Sequence, residues 1–504
     1  MSEQHGVSRS FQDYCALLVG QGGAVVCAAA NTAIMARLLG SAGYAHVVVF
    51  VMVTQVIFTS IAGWLTTAIV RYGCEELVQQ GSMRRTVGAR VLIITPILAL
   101  LVVGLLIWRA PLGRYLEAPS WIAGFVLVAI LGSIALITVQ SLLQARGMMS
   151  GYAWMLLIEK AGLLLGLGLV VWLHPGRRLL SCMALVACAP WISTLVGLRL
   201  LKQADWWPPV VEGAWVRRVV RFSSPFILGA LAATITTWAD IGLTNHFVQK
   251  TGLGVYGLAR QIANLLKQGA GLGAILISPL LFKWFAAGNV EWIRRYVERL
   301  LPLNVLVWCS LVALVLPVVW MVLPLIWGSE FAQARWSWIV LVSEVGLCAW
   351  YYLGVPVLTA HEASVEITVI NTLTAVLAPT LGWWWIPRYG IVGSAWAVFC
   401  ASLAAQTLLL YYLRRYGRLS VLRAVGAVTP LAISATVCWR WGPAWALAAT
   451  GIFLLVISRW LWRRRAFLEE KDVAFLRTIE LPAWGQWMLE KVRWVLGRPL
   501  HSLP

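Results

Sequence analysis

The chain has 504 residues, of which 60% are hydrophobic and 12% charged, and its formal net charge is +20 from 40 Lys+Arg against 20 Asp+Glu. Its mean hydropathy is +0.80, whereas an ordinary soluble domain carries roughly a quarter charged residues, so the composition excludes a soluble multidomain enzyme and describes a polytopic membrane protein. A basic surplus on a soluble chain would suggest nucleic acid; here it lies in short loops between apolar runs, reads as membrane topology, and no nucleic-acid partner is expected.

Runs of about 20 apolar residues match a hydrocarbon core ~30 Å thick. The sequence predicts about fourteen such spans, at residues 11–36, 43–68, 88–109, 121–145, 152–173, 180–202, 223–248, 253–284, 298–326, 337–360, 364–386, 391–415, 422–440 and 444–462. Residues 1–12 lack the basic region and cleavage site of a signal peptide, so the first run is expected to stay as a span. With both termini cytoplasmic and charges at span ends counted with the adjoining side, 28 Lys/Arg fall on the cytoplasmic side, nine fall outside, and Lys160, Arg260 and Lys267 remain in the interior of spans. That asymmetry follows the positive-inside rule. The outer connections are short, the longest being 109–120, which leaves no room for an outer folded domain. The tail from Arg463 to Pro504 alternates charge with Phe467, Phe475, Trp484, Trp487 and Trp494. It is read either as helices lying in the cytoplasmic interface or as a partly ordered basic tail.

The nine cysteines form no CxxC pair and fall mostly inside apolar runs, where Cys behaves as a small buried hydrophobe. The four aspartates, Asp13, Asp205, Asp240 and Asp472, form no DxD motif. Loop 69–87 carries Arg71-Tyr72-Gly73 and Arg84-Arg85; loop 285–297 follows Lys283-Trp284-Phe285 and carries Arg294-Arg295. Entry into the second span, Gly40-Ser41-Ala42-Gly43-Tyr44, parallels entry into the eighth, Gly252-Leu253-Gly254-Val255-Tyr256-Gly257. This internal repeat divides the chain into an N-lobe at 1–202, a cytoplasmic linker at 203–222, a C-lobe at 223–416, two added spans at 417–462, and the tail 463–504.

Ala36-Arg37-Leu38-Leu39-Gly40 with Tyr44, Pro225 and Asp240 in the seventh span, Gly254 to Ala259 opening the eighth, Pro279 ending it, and Gly390 to Ala397 opening the twelfth together form a pattern of Gly/Tyr/Pro-rich helix junctions. In these the chain resembles the Wzx-type oligosaccharide-lipid flippases of the multidrug/oligosaccharidyl-lipid/polysaccharide (MOP) exporter superfamily. It departs from them in having Ala45 after Tyr44, where the family commonly has Gly. The resemblance implies an all-α membrane protein of about 14 transmembrane helices, with two pseudo-symmetric six-helix lobes in a V shape plus two extra C-terminal helices. It further implies a non-enzymatic transporter in a bacterial inner membrane that moves an undecaprenyl-pyrophosphate-linked oligosaccharide to the outer leaflet for surface polysaccharide synthesis. Membrane lipids, the lipid-linked oligosaccharide and a polysaccharide polymerase are the implied partners.

A charge in hydrocarbon costs several kcal/mol and needs a cavity, a partner or a function. In the eighth span Arg260, Asn264, Lys267 and Gln268 are spaced i, i+4, i+7 and i+8, one face of a helix, with Gln261 beside it. Either this cationic stripe receives the pyrophosphate, Arg260 by forked hydrogen bonds and Lys267 as a point charge, or it packs on another polar helix or snorkels to headgroups. Asp240 and Arg260 lie at similar depth and are expected to pair, or else Asp240 serves a proton or sodium switch. Glu159 and Lys160 are adjacent, about 100° apart on a helix, so one narrow surface is not expected to hold both. Glu159, Glu344 and Glu366 are further ion-coupling candidates, Glu366 lying close to the cytoplasmic end. Lys160 and Arg37 are added cationic contacts for substrate, Arg37 alternatively serving as an interfacial anchor.

No cofactor is expected beyond a coupling Na+ or H+. The sequence holds no GxSxG elbow, Walker A loop or HExxH, and His361-Glu362 lacks the second His. A polymerase or ligase needs an outer catalytic loop, where this chain offers only Glu117 and Glu330. A multidrug antiporter of the same superfamily would favour a cavity of carboxylates and aromatics, whereas a cationic stripe favours an anionic substrate.

Overall fold

The computed structural model describes residues 2–173, 178–286, 288–361 and 363–464, and every element among them is helical. The expected interfacial tail therefore lies outside the described residues, apart from Arg463 and Arg464, as does Glu362.

Helix α1 (Ser2–Ala62) is a hairpin of two limbs broken at Gly40, whose φ of 66° and ψ of −179° suit a residue without a Cβ. The first limb runs along α6 (Met149–Leu173): Gly20 lies against Ala153, and Asn31 Nδ2 donates to the Lys160 carbonyl at 2.8 Å. The second limb returns, passing through a 3-10 turn (Gly63–Leu65) into α2 (Thr66–Gln80), where Gly73 packs on Ala145. Hydropathy ended this span at residue 68 because Arg71, Glu75 and Glu76 follow; the helix continues for twelve residues as a polar extension beyond the apolar layer.

Next come α3 (Arg84–Ile107), the short α4 (Arg109–Leu116), α5 (Ile122–Ala145) and, after α6, α7 (Arg178–Leu200). The predicted longest outer loop is thus mostly helix α4. The predicted linker is also ordered, as α8 (Gln203–Trp206) and α9 (Gly213–Ser223). Buried Glu76 accepts from the Arg85 and Thr86 amides at 2.7 and 2.8 Å, satisfying free donors at the start of α3. Trp215 of α9 donates to Thr86 Oγ1 at 3.3 Å and stacks edge-on with Tyr72, while Arg218 reaches Glu75 at 2.8 Å, so the linker is clamped to α2 and α3.

The second half contains α10 (Pro225–Phe247), α11 (Lys250–Ala286), the short α12 (Val290–Arg295), a π-helical turn (Tyr296–Leu300), α13 (Leu301–Trp327) and α14 (Ala334–Ala360). It closes with α15 (Ser364–Leu413), a second hairpin turning at Gly390, whose base is tied by Arg415 Nη1 to Glu366 Oε1 at 3.2 Å. Finally α16 (Val421–Trp441) and α17 (Pro443–Arg464) pack on α13, and Ser434 Oγ donates to the Ala313 carbonyl at 2.7 Å.

Ten helical stretches are long and apolar enough to cross a membrane, and two of them are the hairpins. With α11, which carries the polar stripe, and α17, the crossings number fourteen among the described residues, six in each lobe and two added. The protein is therefore multi-pass, with its hairpin turns at one end, here the Gly40 end, and its long basic connections at the other.

The two repeated Gly/Tyr junctions meet across the lobes. A Cβ on Gly254 would lie 1.8 Å from the Ser41 carbonyl oxygen, so only glycine permits this backbone approach. At the same end the Ser41 amide and hydroxyl donate to Glu330 Oε2 at 3.0 and 2.9 Å, Lys250 lies 3.5 Å from Glu117, and Arg37 donates to the Leu325 carbonyl. The lobes are thus held together at the Gly40 end.

Candidate functional site

Two cavities adjoin in the middle of the molecule. One, of about 310 Å³, lies between the lobes and is lined by α1, α5, α6, α7, α10 and α11. The other, of about 470 Å³, lies inside the C-lobe between α10, α11, α14 and α15. Arg260 and Asn264 of α11 line both. The stripe read from the sequence therefore faces cavities and does not snorkel.

The stripe is built into a buried network. Arg260, its side chain 4% exposed, has Nε 2.9 Å from Asp240 Oδ2 and Nη1 3.8 Å from Glu344 Oε2. Asp240 is filled on every side: Oδ2 accepts from the Tyr256 hydroxyl at 2.6 Å and Oδ1 from the Ile241 amide at 2.9 Å. Lys267 Nζ sits 2.5 and 2.7 Å from the two oxygens of Glu344, and Oε1 also accepts from Ser402 Oγ and Cys348 Sγ, both at 2.9 Å.

This arrangement corrects two expectations. The stripe reads as cationic, and Asp240 pairs with Arg260 as expected, but Glu344 of α14 also faces Lys267 and Arg260, and the four formal charges cancel. The low dielectric between helices makes an uncompensated pair of cations costly, and the carboxylates of α10 and α14 remove that cost. Glu159 and Lys160 were expected on different surfaces, yet both line the inter-lobe cavity, and Lys160 Nζ lies 2.6 Å from Glu159 Oε1. The flexible four-carbon lysine stem lets its ammonium reach the neighbouring carboxylate.

Gln268 and Lys267 line the C-lobe cavity. Two candidates lie away from both cavities: Arg37 at the Gly40 end, and Glu366, paired with Arg415 at the base of the α15 hairpin. Three members of the network escaped the sequence reading. Tyr256 is four residues before Arg260 and Cys348 four after Glu344, so helical spacing held a signal for both. Ser402, on the second limb of α15, left none.

No protein-family model and no curated protein matches the chain. In fold it is similar to the solved lipid II flippase MurJ in an inward closed conformation, with a TM-score of 0.68 at 12% identity over 89% of this chain and 98% of that one. It is also similar to an inward-facing multidrug resistance MATE family transporter of the MOP superfamily, with a TM-score of 0.60 at 13% identity over 80% of this chain and 96% of that one. The Vibrio cholerae MATE transporter VcmN in its bent form gives a TM-score of 0.52 at 18% identity, over 82% and 99%. At these identities the likeness is one of fold: the chain has the architecture of the MOP transporters.

Proposed function

We propose that the chain is a Wzx-type flippase that carries an undecaprenyl-pyrophosphate-linked oligosaccharide from the cytoplasmic to the outer leaflet of a bacterial inner membrane, with both termini and the basic end in the cytoplasm. The observation that carries this reading is Arg260, which lines both cavities and is held by Asp240 through Nε, while its Nη1 stands 3.8 Å from Glu344 with no hydrogen-bond partner. The extent of the fold match supports it: 89% of 504 residues is 449, so the alignment with the lipid flippase reaches beyond α16, which ends at Trp441. The multidrug transporter alignments cover less of the chain, 80% to 84%.

The charge-balanced cluster makes anion binding an exchange. A pyrophosphate entering at Arg260 and Lys267 replaces Glu344 on the ammonium, and the displaced carboxylate then takes up a proton or a sodium ion. Glu344 is therefore the residue assigned to coupling, because among the described residues it alone lies within 4 Å of both cations, while Asp240 positions Arg260. Asn264 and Gln268 add neutral contacts on the same helix face, and Lys160 adds a cation on the N-lobe side.

The test is sidedness of the lipid-linked sugar in oriented inner-membrane vesicles, read with an impermeant glycan probe. Without the protein the sugar should stay on the cytoplasmic leaflet. Single units that reach the outer face unpolymerised in its absence would instead make the chain a polymerase.

A further inference from the structure

Arg90 of α3 is 3% exposed, and its Nε, Nη1 and Nη2 make no hydrogen bond with any described residue. A guanidinium carries five N–H donors and keeps its charge, so a dry site with nothing to receive them is among the costliest a helix can hold. Arg260 and Lys267 in the C-lobe, by contrast, each face a carboxylate.

Arg90 lies beside the seam where α9 meets α2 and α3. It follows Thr86 by four residues, about 40° round the helix and one turn further on, and Thr86 is the residue that meets Trp215 of α9 and Glu76 of α2. An arginine side chain on a helix leans back toward the N-terminus, here toward Thr86. Across the seam, Ser223 at the end of α9 is fully buried, and its hydroxyl has no partner among the described residues either. Closing α9 onto α2 and α3 thus strands a polar group on each side.

The segment from α8 to α9 is fastened unequally. At its start the Met83 amide donates to the Asp205 carbonyl at 2.6 Å, the buried Asp205 carboxylate pairs with Arg146, and the Val210 amide donates to the Arg84 carbonyl at 3.0 Å. Around α9 the ion pairs Arg218 with Glu75 and Arg85 with Glu212 have side chains 27% to 50% exposed, and pairs of that kind hold weakly. Helix α9 also runs through Ser224 straight into α10, so it rests on the N-lobe while its chain continues into the C-lobe. Any movement of one lobe against the other at this end pulls on it.

We propose that α9 is a strap that peels off α2 and α3 when the lobes part at the end away from Gly40, hinging between Val210 and Gly213, and that the unpaired Arg90 sets how readily it opens. With α9 lifted, water reaches the guanidinium and the Ser223 hydroxyl and fills their hydrogen bonds, so the open strap recovers solvation that the closed strap withholds. The buried charge offsets the apolar contacts that Trp215, Val219 and Phe222 make on closing, which keeps the two positions close in free energy. The movement is independent of what the chain carries.

The test is hydrogen–deuterium exchange of the full-length protein in nanodiscs, with the thermal unfolding midpoint measured alongside. In wild type the amides of 216–223 should exchange by local opening while those of Met83 and Val210 stay protected; exchange of both sets together overturns the hinge. Arg90→Met keeps an extended side chain without the charge, and it should raise the midpoint and slow exchange at 216–223 about tenfold. Faster or unchanged exchange, or a lower midpoint, means that the Arg90 charge does not favour opening and overturns the proposal. Ser223→Ala removes the stranded hydroxyl on the other side of the seam and carries the test if Arg90→Met does not fold. It should slow the same amides by a smaller factor, and faster or unchanged exchange in it counts against the strap in the same way.

Discussion

In the C-lobe four formal charges, on Asp240, Arg260, Lys267 and Glu344, come from three helices and have side chains no more than 13% exposed. In the N-lobe the ion pair on the cavity wall, Glu159 and Lys160, comes from two successive residues of α6, with side chains 16% and 37% exposed. The first is a tertiary lock that fixes α10, α11 and α14 relative to one another. The second is a local contact that would form on an isolated helix. Two halves with similar topology thus differ in what the charges on their cavity walls hold together: the C-lobe uses them to build a rigid, charge-balanced cluster, and the N-lobe presents amides and one local pair.

The comparison predicts unequal costs. Glu344→Leu leaves Lys267 without a counter-charge and should remove about 3–5 kcal/mol of stability, seen as a marked drop in the thermal unfolding midpoint in detergent. Adding Lys267→Leu should recover much of that loss; a double variant no more stable than the single would break the view of the cluster as a balanced unit. Gly254→Ala puts a Cβ against the Ser41 backbone and should cost about 1–3 kcal/mol by overpacking. Its readout is the distance between spin labels on the two lobes at the Gly40 end, which should lengthen. Arg260→Lys keeps the charge but loses the fork that spans Asp240 and the cavities, so transport should fall about tenfold, equivalent to ~1.4 kcal/mol in the barrier, with unfolding near wild type. The smallest effect belongs to Glu159→Gln. A pair made by neighbours at a partly exposed site contributes roughly 0–1 kcal/mol, so its unfolding midpoint should barely move; a large fall would erase the distinction between the lobes.

How much of this was legible beforehand depends on whether the determinant is local. Arg260, Asn264, Lys267 and Gln268 could be placed on one face from their spacing, and Asp240 beside Arg260 from depth, because helical rise and periodicity are properties of the chain itself. Glu344 lies 77 residues from Lys267, and no spacing rule joins them; Ser402 is further still, on the returning limb of a hairpin. The reading of the stripe as cationic failed for that reason.

By itself, the sequence determined the membrane class and the fourteen crossings, since a ~30 Å apolar layer demands long apolar runs whatever their neighbours are. It also determined the polar stripe on α11 and the glycines at 40 and 390, where the two hairpins turn. Only the tertiary structure decided that the stripe is charge-neutral, that Glu159 and Lys160 share one cavity, and that Arg90 is buried with no partner among the described residues. Coulomb pairing and polar satisfaction in a low-dielectric interior depend on which helices are packed side by side, and that is a property of the assembled bundle rather than of any segment.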